Sequence, residues 1–264
     1  MMRNLDEHLL AEEFRALGVR RGMVLVVHAS LSRLGHVEGG APAVVAALRS
    51  ALGPAGTLAV PAFTPSVADP CPDAADAGAE AVVRAREQVP LFRPGMPTEM
   101  GAIPNAVLAL PGRLRSAHPQ VSVAAIGPDA ERVTAVQTLS HAVGGASPFA
   151  ALLALDARIL LLGVGHNRNS FLHHAEGLVP GHRRKRRRFP YLVDGERVWV
   201  ETEDVGDDNG RFFPAVGAAY EDLHEGRPGD GVRRRTIGAA ECRLLPSVPF
   251  VEFARRRLTE LLAA

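Results

Sequence analysis

The chain has 264 residues, of which 47% are hydrophobic and 22% are charged, and its 30 basic and 29 acidic residues leave a formal net charge of +1. This composition excludes an intrinsically disordered protein. No apolar run approaches the roughly 18 to 20 residues of a membrane-spanning helix, and the charged first residues lack the apolar core of a secretory signal. We therefore predict a soluble, cytoplasmic protein without a membrane partner.

Cysteine and lysine usage excludes several covalent chemistries. Cys71 and Cys242 are far apart and neither has a second cysteine nearby, which argues against a CxxC zinc or redox site. The single lysine, Lys185, lies within the basic run Arg183–Arg188 and is a poor candidate for a Schiff base. The sequence GxxxxGK does not occur, which excludes a Walker A phosphate loop.

The first elements follow a strand-helix-strand rhythm. Apolar residues at helical spacing predict a helix over Leu5–Leu17 that ends at Gly18. The apolar run Met23–His28 predicts a buried strand, Ala41–Leu52 a helix, and Thr57–Val60 a second strand. This rhythm is typical of a layered α/β domain.

A long segment then interrupts the rhythm. Residues 64–97 are rich in proline, alanine and aspartate and far exceed the about 2 to 6 residues of an ordinary connection, so they predict a lid-like insertion. Beyond it we predict helices over 101–110, 128–136, 148–155, 171–177, 212–223 and 250–262, strands over 121–126 and 158–164, and a hairpin over 191–200 that turns at Asp194-Gly195. With no internal repeat or linker, residues 1–264 are predicted to form one domain of α/β/α layers around a central mixed sheet.

The densest group of reactive side chains, Gly163 to Glu176, follows the most hydrophobic strand. Loops at the carboxyl ends of such strands are where α/β sheets bind ligands. A dinucleotide-binding loop is disfavoured because Arg168 replaces the third glycine of GxGxxG. A zinc site is disfavoured because neither HExxH nor a cysteine-histidine framework is present, and we predict no metal.

The favoured interpretation of this group is acid-base catalysis. His173 and Glu176 are three residues apart, which in a helix places both side chains on one face, where a carboxylate can orient an imidazole. A core or capping histidine beside an unrelated surface glutamate is the alternative, and the residues alone leave it open.

Two loops are candidates for binding an anion. The residues Ser30 to Gly35 follow the first strand and precede a helix whose N-terminus carries partial positive charge, although serine and glycine also simply shape turns. Ser147 lies in the second loop, where the alternative is an N-cap followed by a proline in the first helical turn.

The basic run Arg183–Arg188 is a candidate contact for nucleic acid or a phosphorylated ligand. The net charge of +1 and the aromatic content of 5% argue against nucleic acid, and we expect a solvated charged face. We also expect the near-neutral total to conceal a separation, with basic residues on one part of the surface and carboxylates near the insertion and a late loop.

Six short motifs occur in register over roughly residues 23 to 200. They are Val27-His28-Ala29-Ser30-Leu31-Ser32 with Leu34-Gly35; Leu52-Gly53-Pro54 with Pro61 and Phe63-Thr64; Pro97-Thr98 with Met100-Gly101; Arg115-Ser116 with His118-Pro119 and Ser122; Gly144 with Ser147-Pro148; and Leu162-Gly163 with Gly165 through Glu176. Together these motifs resemble the aminoglycoside 3-N-acetyltransferase family of antibiotic-modifying enzymes, which is distinct from the GNAT acetyltransferases.

The resemblance implies direct, metal-free transfer of an acetyl group from acetyl-CoA to the 3-amino group of a 2-deoxystreptamine ring, conferring antibiotic resistance. It implies that His173 is the general base and that Glu176 orients it. The residues that it implies for binding coenzyme A are Ser30, Leu31, Ser32, Gly35, Ser122 and Ser147. Those that it implies for a cationic acceptor are Asp69, Asp204, Asp207 and Asp208.

Two other functions remain open. One is an acetyl-CoA-dependent N-acetyltransferase of the same fold that acts on a biosynthetic amine. The other is a non-enzymatic module that binds an anion or nucleotide through the Ser30 loop and the basic run. For all three we expect a monomer or a homodimer that does not bind nucleic acid.

Overall fold

The structure, a computed structural model, describes residues 5–72, 78–206, 210–225, 227 and 231–263. Its helices are α1 (Glu7–Leu17), α2 (Gly40–Leu52), α3 (Ala79–Glu87), α4 (Ala102–Leu108), α5 (Ala130–Thr134), α6 (Pro148–Ala154), α7 (Phe171–Gly177), α8 (Phe213–His224) and α9 (Ser247–Ala263). Its strands are β1 (Val24–Ala29), β2 (Thr57–Pro61), β3 (Leu114–Arg115), β4 (Val123–Ile126), β5 (Arg158–Leu162), β6 (Arg184–Val193), β7 (Glu196–Val205), β8 (Arg233–Ile237) and β9 (Ala240–Pro246). Within these ranges no helix is both long and apolar enough to span a membrane.

The main sheet has the strand order β3-β4-β2-β1-β5-β9-β8 across the described part of the chain. The three central strands are parallel, with Val26 of β1 opposite Ala59 of β2 and Ile159 of β5. The outer strands pair antiparallel, so the predicted mixed sheet is confirmed. Because β1 lies between the next strand along the chain and a much later one, its carboxyl end is a topological switch point, where α/β sheets bind ligands.

Two apolar cores cover the two faces of this sheet. Leu25 and Val27 of β1 belong to the core beneath α1, α2 and α4, whereas Val24 and Val26 belong to the core formed with α5 to α9. This alternation is the two-residue period of a strand buried on both faces. Each fully buried valine or leucine contributes about 1.5 to 3 kcal/mol to folding, so the layers are held mainly by apolar burial. The predicted α/β/α layering is confirmed.

The first helix ends as its sequence predicts and begins two residues later. Gly18 adopts φ +119°, in the left-handed region that glycine tolerates, and closes the helix. The carboxylate of Asp6 caps the start by accepting a hydrogen bond from the Leu9 amide at 2.8 Å. Leu5 stays outside the helix because it bridges to Val37.

The hairpin turns at Asp194-Gly195 as predicted, but each of its strands has ten residues, so it extends well beyond 191–200. Its first half contains most of the basic run, which therefore forms a strand. Arg184 and Arg186 are 56% and 77% exposed, as expected of a solvated face, whereas Arg187 is 17% exposed. Acidic residues of β7 lie opposite, with ion pairs from Arg184 to Glu203 at 3.3 Å and from Arg186 to Glu201 at 3.5 Å. Opposite charges across paired strands offset the poor strand propensity of such a run.

The insertion at residues 64–97 packs against this hairpin. It contains α3, and Arg197 of β7 donates hydrogen bonds to the carbonyl oxygens of Arg86 at 2.8 Å and Val89 at 2.7 Å. Val67 and Val89 of the insertion share a small apolar cluster with Phe189 of β6. The insertion is thus anchored at several points, and its function as a lid stays a prediction.

Candidate active site

A cavity of about 760 Å³ lies at the carboxyl ends of β1, β2 and β5, and we call it the main cavity. Its walls come from the ends of these strands, the following loops, and the first residues of α2 and α4. The residues that matter below are His28, Ser30, Leu31, Ser32, Gly35, Gly40, Glu99, Met100 and Arg168. Four of the residues predicted to bind coenzyme A, Ser30, Leu31, Ser32 and Gly35, therefore line one cavity.

The Ser30 loop is held close to the sheet. The Ser30 amide donates to the carbonyl of Leu162 at 2.9 Å, which ties the loop to the end of β5. Residues Leu31–Leu34 then form one turn of 3₁₀ helix, and Gly35 follows with φ +85°. Gly40, at the start of α2, also lines the cavity, so the positive end of a 13-residue helix opens onto it. This arrangement is suited to an anion.

A second opening of about 540 Å³ adjoins the main cavity and shares Ser30, Val164 and Arg168 with it. We call it the arginine cleft because Arg33, Arg168 and Arg243 line it. Arg243 is engaged by Glu221 at 2.9 Å and Glu241 at 3.0 Å. Arg33 and Arg168 follow the strand ends and place two guanidinium groups beside the Ser30 loop, a grouping that their lone charges did not indicate in the sequence.

Two other serines predicted to bind the cofactor have internal partners. The hydroxyl of Ser147 donates to the Gly144 carbonyl at 2.5 Å and accepts from the Ala150 amide at 3.3 Å, which caps α6. Ser122 is fully buried, accepts from Arg115 Nε at 2.9 Å and donates to the Ala62 carbonyl at 2.9 Å. Neither serine is among the described residues that line the main cavity, and their contact with coenzyme A stays a prediction.

A smaller pocket of about 160 Å³ contains His173, and we call it the His173 pocket. Met100 lines both this pocket and the main cavity, so the two spaces are neighbours that share one wall residue. His173 lies on α7, is half-buried, and its ring packs edge-on against Phe213 with centroids 4.7 Å apart. The helix that follows β5 thus brings His173 next to the space where the Ser30 loop could place a ligand.

Glu176 is fully buried one turn further along α7. Its Oε1 accepts hydrogen bonds from Arg183 Nε at 3.0 Å and Nη2 at 2.8 Å. Both hydrogen bonds end on the same oxygen, and as charge-assisted bonds they hold the carboxylate against Arg183. The role of Glu176 in orienting His173 stays a prediction.

The two described carboxylates predicted to face a cationic acceptor are paired with arginines. Asp69 accepts from Arg86 Nε at 3.0 Å and Nη2 at 2.6 Å, and Arg188 Nη1 lies 3.3 Å away. Burial acts to raise the pKa of the Asp69 carboxyl, but hydrogen bonds from Arg86 and the Cys71 amide, with the charges of both arginines, hold it below its usual value.

Asp204, which lines the His173 pocket, is fully buried and accepts from Arg187 Nε at 2.7 Å. Arg187 Nη1 also donates to Gln120 Oε1 at 2.9 Å. The other two predicted carboxylates, Asp207 and Asp208, lie outside the described residues. The expected separation of positive and negative surfaces is therefore wrong for this region, because the hairpin interleaves the two charges.

Glu99 is a carboxylate at the main cavity that the sequence did not single out. Its side chain is exposed, and its Oε1 accepts from the Ser66 amide at 2.9 Å. The sequence feature that could have identified Glu99 is its position between Thr98 and Met100, in one of the six motifs. It offers negative charge at the cavity without a described arginine partner.

His166 and His174, which lie close to His173 in sequence, have structural contacts. His166 Nε2 lies 2.7 Å from Glu221 Oε1, and His174 Nδ1 lies 2.7 Å from the Val143 carbonyl oxygen. Over the residues that the structure describes, no group of three histidine, cysteine, aspartate or glutamate side chains is arranged to hold a metal ion.

A sequence model of the aminoglycoside 3-N-acetyltransferase family matches residues 26–259, nearly the whole chain. The chain belongs to this family of acyltransferases. Aminoglycoside N(3)-acetyltransferase VII of Streptomyces paromomycinus is 35% identical to it over 253 residues, covering 92% of this chain and 88% of that relative.

Solved structures of family members share the fold. The crystal structure of the YokD protein from Bacillus subtilis matches with a TM-score of 0.89 and 30% identity, covering 97% of this chain and 94% of that one. The structure of AAC-IIIb in binary complex with CoASH matches with a TM-score of 0.84 and 30% identity, covering 97% of this chain and 96% of that one. The aminoglycoside 3-N-acetyltransferase fold is therefore present along almost the entire chain.

Proposed function

We propose that this chain transfers an acetyl group from acetyl-CoA to the 3-amino group of an aminoglycoside, on its 2-deoxystreptamine ring, and thereby confers resistance to the drug. The observation that carries the proposal is the closeness of the main cavity to the His173 pocket, since Met100 lines both. A long anionic donor and an amine acceptor can reach each other from the two sides of this point. The proposal also places the protein in the cytoplasm, where acetyl-CoA is available, as a monomer or homodimer.

The main cavity suits acetyl-CoA in size and in chemistry. Its volume of about 760 Å³ is within the range of sites for cofactor-sized ligands. The hydroxyls of the Ser30 loop and the N-terminus of α2 suit the diphosphate, and Arg33 and Arg168 of the arginine cleft suit a further phosphate. When bound, acetyl-CoA supplies the activated acetyl group, and the AAC-IIIb complex with CoASH supports its use in this fold.

His173 is the proposed general base. Its half-buried imidazole lines the pocket beside the main cavity and can take a proton from the acceptor amine. The contact with Phe213 and the adjacent turn of α7 limit the orientations of its ring. Glu176, held by Arg183, is the proposed carboxylate that completes this orientation.

The aminoglycoside assignment is supported by the name of the Streptomyces relative, an aminoglycoside N(3)-acetyltransferase. In this chain Glu99 offers an exposed carboxylate at the main cavity for one of the ammonium groups of such a polycation. Asp69 and Asp204 belong to charge pairs, so they contribute mainly as hydrogen-bond acceptors with their net charge already offset.

A second candidate is acetyl transfer to a biosynthetic amine that carries fewer positive charges. The observation that favours it is the neutralisation of Asp69 and Asp204 by arginines, since a polycation gains less from paired carboxylates than from free ones. Both candidates share the donor, the main cavity and His173, and they differ in the acceptor.

The experiment that separates them measures thiol release from acetyl-CoA in the presence of a panel of aminoglycosides and simpler diamines. The proposal expects turnover with at least one 2-deoxystreptamine compound and acetylation at its 3-amino group by NMR. Turnover restricted to amines without that ring would support the second candidate. If coenzyme A binds but no amine is acetylated, the chain is a binding module instead of an enzyme.

A further inference from the structure

His28 is a buried polar side chain at a position where the surrounding strand is apolar. It is the penultimate residue of β1 and is only 4% exposed. Burial, with smaller contributions from His166 and His173, lowers the pKa of its imidazole to about 3. The ring is therefore neutral at physiological pH and carries one N–H donor and one acceptor nitrogen.

The hydrogen-bond partner of Nε2 shows that the proton of the neutral imidazole is on Nδ1. The backbone amide of Ser170 lies 2.9 Å from His28 Nε2, and since an amide can only donate, Nε2 is the acceptor. The proton then resides on Nδ1. This Nδ1 is buried and has no hydrogen-bond partner among the described residues. An unsatisfied buried donor costs about 1 to 3 kcal/mol, so its retention calls for an acceptor other than the described residues.

The place of this donor indicates which acceptor it meets. His28 lines the main cavity, and the strand alternation puts its side chain on the face shared with Val24 and Val26, which α7 covers. His173 of α7 lines the adjoining pocket, and Met100 lies on both. The unpartnered N–H thus belongs to a residue of the main cavity, and the proposed base to a residue of the neighbouring pocket.

We propose that His28 is a catalytic residue whose Nδ1–H donates a hydrogen bond to the carbonyl oxygen of the acetyl thioester and stabilises the negative charge that forms there. This inference rests on the proposed function for the donor, acetyl-CoA, and is independent of which amine accepts the acetyl group. Fixed donors aimed at developing charge are among the strongest contributions to acyl-transfer catalysis.

The reaction balances as follows. The lone pair of the amine forms the C–N bond while the carbonyl π pair moves to the oxygen, where His28 stabilises it. His173 takes a proton from the attacking nitrogen. The oxygen pair then re-forms the C=O bond as the C–S bond breaks with its electrons on sulfur, and His173 returns the proton to that sulfur. The products are the N-acetylated amine and CoASH, and His28 stays neutral throughout.

A hydrogen-bonded loop holds the Ser170 amide that sets this tautomer. Asn169 Nδ2 lies 3.3 Å from His166 Nδ1, and Asn169 Oδ1 accepts from the Phe171 amide at 3.2 Å. His166 is in turn anchored to Glu221 and stacks on Phe250 with ring centroids 5.4 Å apart. Because both sides of the Ser170 peptide are fixed, His28 is oriented before any ligand arrives, as electrostatic preorganisation requires.

Two substitutions of His28 test the roles of its two ring nitrogens separately. In His28→Asn the side-chain amide can place an N–H near the position of Nδ1, whereas in His28→Gln the side-chain oxygen can reach the position of Nε2 and the Nδ1 donor is lost. The proposal expects kcat to fall about 100-fold or more in His28→Gln and to be at least tenfold higher in His28→Asn than in His28→Gln. A purely structural role, accepting the bond from Ser170, expects the reverse order.

A spectroscopic measurement needs no acceptor and so separates this inference from the aminoglycoside assignment. Infrared difference spectra of acetyl-CoA labelled with ¹³C at the thioester carbonyl report hydrogen bonding to that oxygen. We expect a lower carbonyl stretching frequency on the wild-type protein than in solution, and loss of most of this shift in His28→Gln. Binding of CoASH, measured by calorimetry, should be similar in the wild type and both variants.

An unshifted carbonyl band on the wild-type protein overturns the proposal, as does a shift that persists fully in a folded His28→Gln. A His28→Asn enzyme no more active than His28→Gln also overturns it. If His28→Gln fails to fold, as judged by circular dichroism, the wild-type band and the activity of His28→Asn decide the matter. A shifted band with no turnover on any aminoglycoside would support His28 as donor and count against the proposed acceptor alone.

Discussion

The main cavity and the His173 pocket share one lining methionine, yet they present their charges in opposite ways. The main cavity offers backbone amides, hydroxyls, a helix N-terminus and the arginines of the adjoining cleft. The His173 pocket contains Arg187 and Asp204 paired with each other at 2.7 Å. One region is prepared to receive charge from a ligand, and the other has most of its charge already compensated.

This difference indicates that the main cavity serves to bind the ligand and that the ion pair of the His173 pocket serves to fix the positions of its side chains. The N-terminus of α2 and the arginines of the adjoining cleft gain free energy when an anionic donor arrives, so the main cavity is suited to binding it. A buried ion pair contributes little net stability because desolvation offsets the attraction, but it fixes geometry. We therefore expect changes at the anion-binding groups of the main cavity to alter ligand affinity, and changes at His28 or around the His173 pocket to alter kcat or the stability of the fold.

The largest expected effect is on the chemical step. His173→Ala should lower kcat about 100-fold or more because the amine loses its base, while the Kd for CoASH stays within about twofold of wild type. Thiol release and calorimetry measure the two quantities, and His8→Ala on the exposed face of α1 is the control. A large loss of coenzyme A affinity with unchanged kcat would place His173 in the binding surface.

The next effect concerns stability around the same pocket. Asp204→Asn leaves Arg187 without its carboxylate and should cost about 3 kcal/mol or more in the free energy of unfolding, measured with urea. Adding Arg187→Gln should restore most of this loss.

Glu203→Gln is the matched control on the same strand. Its side chain is 53% exposed and pairs with Arg184, which is 56% exposed, so it should cost at most about 1 kcal/mol. If Asp204→Asn leaves stability unchanged and instead raises KM for the amine, Asp204 is a substrate carboxylate and the contrast between the two regions fails.

Lowering the pH should reduce the free energy of unfolding because each of the two regions has a buried histidine. Burial lowers the pKa of His28, at the main cavity, to about 3. It lowers the pKa of His118 to about 4. His118 lies beside the His173 pocket, where its Nδ1 accepts a hydrogen bond from the Gln120 amide at 3.0 Å. Because these folded-state values lie below the unfolded value, the stabilisation is complete above about pH 6.5 and is lost as pH falls, by up to about 1.4 kcal/mol per pH unit for each histidine.

Urea unfolding at pH 6.5, 5.5 and 4.5 checks this expectation. His118→Asn keeps an acceptor for the backbone amides and removes the titrating ring, so it should flatten the decline between pH 6.5 and 4.5. The exposed His8→Gln should leave the decline as it is in wild type. An equal slope in His118→Asn and wild type would mean that His118 takes up no additional protons on unfolding.

The smallest effect is at the mouth of the main cavity. Glu99→Gln removes an exposed carboxylate and should raise KM for an aminoglycoside by about threefold with little change in kcat, an effect that fades at high salt. Glu87→Gln, on the exposed face of α3, is the control. A loss in kcat instead would show that Glu99 takes part in the chemistry, and the simple division between the two regions would need revision.

Much of the fold follows from patterns of short range. The continuous apolar run of β1, the glycine that ends α1 and the Asp-Gly turn of the hairpin all encode their local structure, because burial and left-handed backbone geometry restrict which residues are allowed there. The strand Arg233–Ile237 and the first half of β6 could not be predicted in this way, since consecutive arginines show no apolar alternation that indicates a strand. Their pairing partners stabilise them from elsewhere in the chain.

By itself, the sequence determined an α/β/α domain, a loop of serines after the first strand, and a histidine one helix beyond the most hydrophobic strand. These are properties of neighbouring residues, and they also carried the resemblance to the family. The tertiary structure decided which charges are paired. Asp204 meets Arg187 when β6 pairs with β7, Asp69 meets Arg188 when the insertion packs against the hairpin, and Glu176 meets Arg183 beyond the end of α7. The tertiary structure also revealed the unpartnered N–H of His28, whose tautomer depends on an amide 142 residues away.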